Sequence, residues 1–172
     1  MKPITLKPER SPLKRMNACG LTVSGWRSAE KYKNQEVLMF INTLEGGKCL
    51  GFPDVCKTPG PGGVLPVPYV NTAECCLAES GSFSSKVFVN GMNALHLNTT
   101  ITQSDGNEAG TAGGVASGVF RGPACFLSGS NAVLIEGAPA VSLGSTTGQN
   151  GTTPNCTGSC TVPSQEKVLL RR

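Results

Sequence analysis

The chain has 172 residues, with 15 Lys/Arg against 11 Asp/Glu, 38% apolar and 5% aromatic residues, 22 glycines and 12 prolines. Charge is too sparse for an ordinary disordered chain, and large side chains are too few for the thick core of a helical bundle. What remains is one thin, turn-dense, strand-built domain that needs help beyond apolar burial, such as a metal, cross-links or a tight partner.

Residues 1–38 carry eight Lys/Arg against three Glu, whereas residues 39–172 carry seven basic and eight acidic residues, so the net +4 belongs to a basic N-terminal arm. The bases are not interleaved with aromatics and match no nucleic-acid fingerprint; the arm reads as a solvated or partner-docking segment, with no nucleic acid expected. "MKPITLKPERSPLKR" lacks the apolar stretch of a secretory signal, and "VLMFI" (37–41) is far short of the ~20 residues of a membrane span. The chain is therefore expected to be made in the cytoplasm and to leave it, if at all, without the general export route. "SAEKYKNQEVL" (28–38), started by Ser28, predicts a short helix.

In residues 52–71, "FPDVCKTPGPGGVLPVPYVN", eight of twenty residues are Pro or Gly. Pro66 and Pro68 lack N–H donors and fix φ, so "VLPVPY" is extended but excluded from a sheet interior; a rigid strap around the body is expected. "NTAECCLAES" (71–80) predicts a single helical turn. An internal repeat follows: "SGSFSSKVFVNGMNALHL" (80–97) aligns with "SGSNAVLIEGAPAVSL" (128–143), matching Val87 with Val133, Val89 with Ile135 and Gly91 with Gly137. Each copy alternates at the strand period and turns at Asn90-Gly91 or Glu136-Gly137, which predicts a β-hairpin. "KVLL" (167–170) resembles "KVFV" (86–89) and reads as the opening strand of a third, truncated copy. One hairpin cannot bury its own apolar face, so the copies are expected to pack with approximate threefold symmetry. The small-residue segment 103–126 between the copies reads as tight loops.

At "MFINTLEGGKCLGFPDVCKTPGPGGVLPVPYVN" (39–71), "DGNEAGTAGGVASGV" (105–119), "GSNAVLIEGAPAVSL" and the closing "PSQEKVLL", the sequence resembles PAAR-like spike-tip proteins. The namesake Pro-Ala-Ala-Arg is only half present, as Ala138-Pro139-Ala140-Val141 in one copy and Met92-Asn93-Ala94-Leu95 in the other, so the match is to a divergent branch. The resemblance covers residues 39–172 as a spike-tip domain and leaves out the arm, 1–38. It implies a mostly β fold: a small three-sided β cone of pseudo-threefold hairpins with an irregular N-terminal arm. It further implies a non-enzymatic tip, one copy per trimer, on the trimeric β-helical spike of a type VI secretion or related contractile injection system. Such a tip is exported with the apparatus and pierces the target membrane transiently. With the third strand closing the chain, no toxin domain is expected behind it; a separate effector or chaperone would dock through the arm or the spike.

Eight cysteines in a chain without a visible signal are expected to stay reduced, some as metal ligands and some as packing residues. The resemblance implies a structural zinc near the apex with His and Cys ligands. The candidates are Cys56 in the ribbon, His96 (the sole histidine), Cys156, and one of Cys125 or Cys160, with Cys156–Cys160 alternatively a disulfide. Cys75 and Cys76 read as packing residues, while Cys19 and Cys49 have no evident partner. Two further readings stay open. One is a disulfide-stapled adhesin or lectin-like protein. The other is a Cys–His hydrolase built from Cys56 or Cys125 with His96 and Asp54 or Asp105, although no nucleophile elbow, phosphate loop or H-E-x-x-H occurs.

Overall fold

The two repeated segments form the hairpins their turn residues demand. In the first, β4 (Phe88–Val89) pairs with β5 (Met92–Asn93); in the second, β8 (Leu134–Ile135) pairs with β9 (Ala138–Pro139). Both turn residues have positive φ in each, Asn90 and Gly91 in one and Glu136 and Gly137 in the other, the geometry that matches a two-residue turn to strand twist. A computed structural model supplies these coordinates and describes residues 37–171. The basic arm and Cys19 therefore lie outside the described residues, as does the 28–38 helix apart from its last two positions, and Leu38 is in a strand.

That strand, β1 (Leu38–Phe40), supplies what the third copy lacks. It pairs antiparallel with β12 (Leu169–Arg171), Phe40 opposite Leu169 and Met39 opposite Leu170. The third hairpin is thus assembled from segments far apart in sequence, without a turn. Ile41, Ala94 and Ala140 then hold equivalent places, as do Asn42, Leu95 and Val141, and Thr43, His96 and Ser142.

The three units close into a ring. Bridges join Ile41 to Ser142, Ala140 to His96, and Ala94 to Thr43, each unit meeting the next in the same way. Inside them the N–H of Asn42 donates to Val141 O (2.9 Å), that of Val141 to Leu95 O (3.4 Å) and that of Leu95 to Asn42 O (3.0 Å). A second cycle runs from Leu44 N to Asn93 O, Leu97 N to Pro139 O and Leu143 N to Phe40 O. Cyclic pairing leaves no open edge within the ring, the usual liability of short strands.

The ring separates two apolar clusters. One holds Ile41, Ala94, Ala140, Ile135 and Leu170, with Val89 and Val133 against them. The other holds Leu95 and Val141 from the ring with Cys49, Ala73, Cys75, Ile101, Ala124, Phe126 and Cys160. These come largely from a six-stranded antiparallel sheet ordered β3 (Gly63–Glu74), β2 (Lys48–Gly60), β11 (Cys156–Val162), β10 (Thr146–Gln149), β7 (Ala124–Phe126) and β6 (Thr100–Ile101). A single 3₁₀ turn, Cys75–Leu77, follows β3, in the segment expected to make one helical turn.

The Pro-rich ribbon is a long hairpin of β2 and β3 rather than a single strap. Pro61-Gly62 reverses the chain, and Gly60 pairs with Gly63, whose φ is +115°. Pro66 and Pro68 stand opposite Lys57 and Val55 on β3, an edge strand, where a missing N–H donor is tolerated.

Candidate functional site

Three features stand out: the outer face of the ring and two buried polar clusters. On the ring, Phe88, Leu134 and Leu169 occupy the same place in the three units, and all are exposed, at 58%, 63% and 48%. Their strand neighbours Ile135 and Leu170 are buried, as alternation requires. A large exposed apolar side chain, one Phe and two Leu, is thus presented at the equivalent place of each unit of the closed ring.

The first buried cluster lies where loop 104–123 meets β2. Asp54 is fully buried and makes no ion pair among the described residues. Its carboxylate accepts instead from three side-chain amides: Asn107 Nδ2 at 2.6 Å, Asn150 Nδ2 at 3.1 and 3.2 Å, and Asn155 Nδ2. Each amide is locked in that sense, because its oxygen accepts backbone N–H groups on the other side. Arg121 N donates to Asn107 Oδ1, Gly122 N to Asn150 Oδ1, and Ala116 N and Ser117 N to Asn155 Oδ1. The backbone of loop 104–123 comes in close: a Cβ on Gly110 would lie 2.3 Å from Cys56 Cβ, so only glycine fits.

Cys56 sits within this cage, with Asn150 Nδ2 at 3.5 Å from its sulfur. Burial first, and the neighbouring Asp54 second, push its thiol up to about 11. The same two causes push Cys156 up to about 12, with Cys56 itself adding to the effect. Both shifts disfavour the thiolate, against the amide donors Asn107 and Asn150 at Cys56 and Asn71 at Cys156, which pull the other way.

The second cluster is made of Cys49, Cys75 and Cys160. Their sulfurs lie within 4.8 Å of one another, and all three residues are buried. Cys49 and Cys160 face each other across β2 and β11, and Cys75 begins the 3₁₀ turn. Mutual hydrogen bonding with Cys160, then the other thiols and burial, raises the pKa of Cys49; hydrogen bonding to Cys160 and burial do the same for Cys75. A zinc–sulfur bond near 2.3 Å places tetrahedral sulfurs about 3.8 Å apart, so this group can hold a metal ion.

The structure distributes the five expected ligands over several places. Cys160 joins a thiol trio whose other members, Cys49 and Cys75, the sequence singles out only as a residue without a partner and as a packing residue. Cys56 and Cys156 flank Asp54. Cys125 lies on β7, opposite Thr100 and Gly148. His96 is part of the ring, bridged to Ala140, with Nδ1 buried and without a hydrogen-bond partner. Cys56, Cys125, His96 and Cys156 form no group of three ligand atoms within 4.8 Å among the described residues. Nor does a hydrogen bond join the His96 ring to Cys56, Cys125, Asp54 or Asp105; Asp105 is instead ion-paired with Arg121 at 2.7 Å.

Comparison with known proteins gives one match. The family model described as the toxin PAAR-like domain covers residues 47–157, which include the β2–β3 hairpin, both repeats and the Asp54 cage. No curated protein and no solved structure matches. The matched span is most of the chain, and the chain belongs to the PAAR-like toxin-domain family.

Proposed function

We propose that this protein is the non-enzymatic tip of a type VI secretion or related contractile injection apparatus, capping a trimeric β-helical spike with one copy per trimer. Family membership supports a structural spike-tip role in secretion systems. The observation that carries the finer reading is the closed ring of three equivalent units with Phe88, Leu134 and Leu169 exposed at matching places. A trimeric shaft presents three identical chain ends, and one chain with three similar faces meets them with a single copy. The protein is made in the cytoplasm and leaves at the front of the apparatus, and residues 1–38 serve as the docking arm for a separate effector or chaperone. A structural zinc belongs to this reading, and the thiol trio has the donors that suit it.

The test is to mix the purified protein with a candidate spike trimer and measure mass in solution. One copy per trimer is expected; three copies, or no complex with any such trimer, overturns the reading. Replacing Phe88, Leu134 and Leu169 together by Ser removes binding, while each exposed substitution alone changes stability by only about 0.5 kcal/mol.

A further inference from the structure

The inner position of the ring is apolar in two units, Leu95 and Val141, and polar in the third, Asn42; all three are buried, Asn42 completely. An asparagine in an apolar cluster needs a reason, since an unsatisfied buried polar group is costly. Asn42 Nδ2 lies 3.1 Å from Cys160 Sγ, and Asn42 Oδ1 is buried with no hydrogen-bond partner. The three amides around Asp54 have oxygens fixed by backbone N–H groups. Nothing fixes the oxygen of Asn42. A half-turn of χ2 therefore exchanges its two ends and brings Oδ1 beside Cys160 Sγ, a member of the thiol trio, giving up only the hydrogen bond to Cys160.

We propose that Cys49, Cys75, Cys160 and the amide oxygen of Asn42 form a buried four-ligand site for one thiophilic divalent cation, zinc, between the ring and the sheet. Three sulfurs alone leave zinc one ligand short of its usual four, and the Asn42 side chain lies against one of them, Cys160 Sγ. Its place in the third unit, where the other two carry aliphatic residues, is thereby explained. Without metal, the thiols keep their protons; binding expels up to three protons and leaves a net charge of −1 on the group. The site joins β1's continuation, the start of β2, the end of β3 and β11, four segments distant in sequence. It stiffens the seam where the third unit, which lacks a turn, meets the sheet.

The full chain, purified from zinc-replete cells, is assayed for metal by elemental analysis. About one zinc per chain is expected. Cys75→Ser and Cys160→Ala lose it, while His96→Ala and Cys156→Ser keep it. Asn42→Leu restores the residue type of the equivalent Leu95 and releases zinc to a chelator roughly tenfold faster. Because cysteine variants can fail to fold, the metal-free wild-type protein is also titrated with Co²⁺, and thiolate-to-cobalt absorption from a tetrahedral site is expected. Absence of metal and of that absorption overturns the site. So does a Cys49–Cys160 disulfide in freshly isolated protein, or zinc that follows His96 or Cys156. Unchanged release from Asn42→Leu overturns the role of Asn42. No spike is used in these measurements, so their failure is distinguishable from failure of the docking reading.

Discussion

The ring and the hairpin with its covering loop are two solutions to the problem of stabilising a chain with few large side chains. The ring uses repetition: three short strand pairs, none stable alone, close a cycle in which every backbone pairing occurs three times over an apolar interior. The hairpin region uses one buried carboxylate, Asp54, on which three asparagines converge, Asn107 from loop 104–123 and Asn150 and Asn155 from the β10–β11 connection. Repetition spreads stability over many equivalent contacts, so no single one is decisive. Convergence concentrates it in one residue, and the contrast is open to direct test.

The largest effect is expected at Asp54. Asp54→Ala takes the carboxylate acceptor from the buried amides of Asn107 and Asn150 and from that of Asn155, which keeps Val55 O, and a loss of roughly 3–5 kcal/mol is expected in denaturant unfolding. Hydrogen exchange should rise first in residues 105–122, with the ring amides of Leu95 and Val141 the last to lose protection. If protection fell equally in both regions, they would not be separable units. Next comes Leu95→Ala at the ring's inner position, expected to cost about 2–4 kcal/mol by cavity formation. It should leave exchange near Asp54 close to that of the parent protein. The smallest effect is the alkaline limb of stability. The unfolded chain releases the Cys56 proton from about pH 9, while the native thiol holds it to about 11. Unfolding is therefore favoured as pH rises between these values, by up to about 3 kcal/mol at ~1.4 kcal/mol per unit; this contribution levels beyond, while that of Cys156 runs on to about 12. Unfolding midpoints measured from pH 8 to 11 should fall less steeply in Cys56→Ala; an identical slope would remove Cys56 as the cause.

Much of the ring was legible because its signals are local. Asn90-Gly91 and Glu136-Gly137 each sit between alternating strands, and Lys167–Leu170 repeats Lys86–Val89. The strand that completes the third unit was not legible, since Leu38–Phe40 reaches its partner Leu169–Arg171 without any turn to announce the pairing. The ribbon's prolines revealed extended backbone at an edge, but Pro59–Gly63 looked like part of a strap until the pairing of Gly60 with Gly63 showed a reversal. At the candidate sites, residue type was informative and register was not. Cys160 is a candidate by residue type, but the thiols gathered beside it are not: Cys49 depends on the β2–β11 register, and Cys75 on where β3 stops. The amide partners of Asp54, Asn107, Asn150 and Asn155, carry no spacing signal of their own.

The split third unit also sets a path for mechanical load. Leu38 and Arg171 are opposed on neighbouring strands, so a pull on either strand end is borne by the same antiparallel pair. Such a pull would be shared around the closed hoop that the three units form.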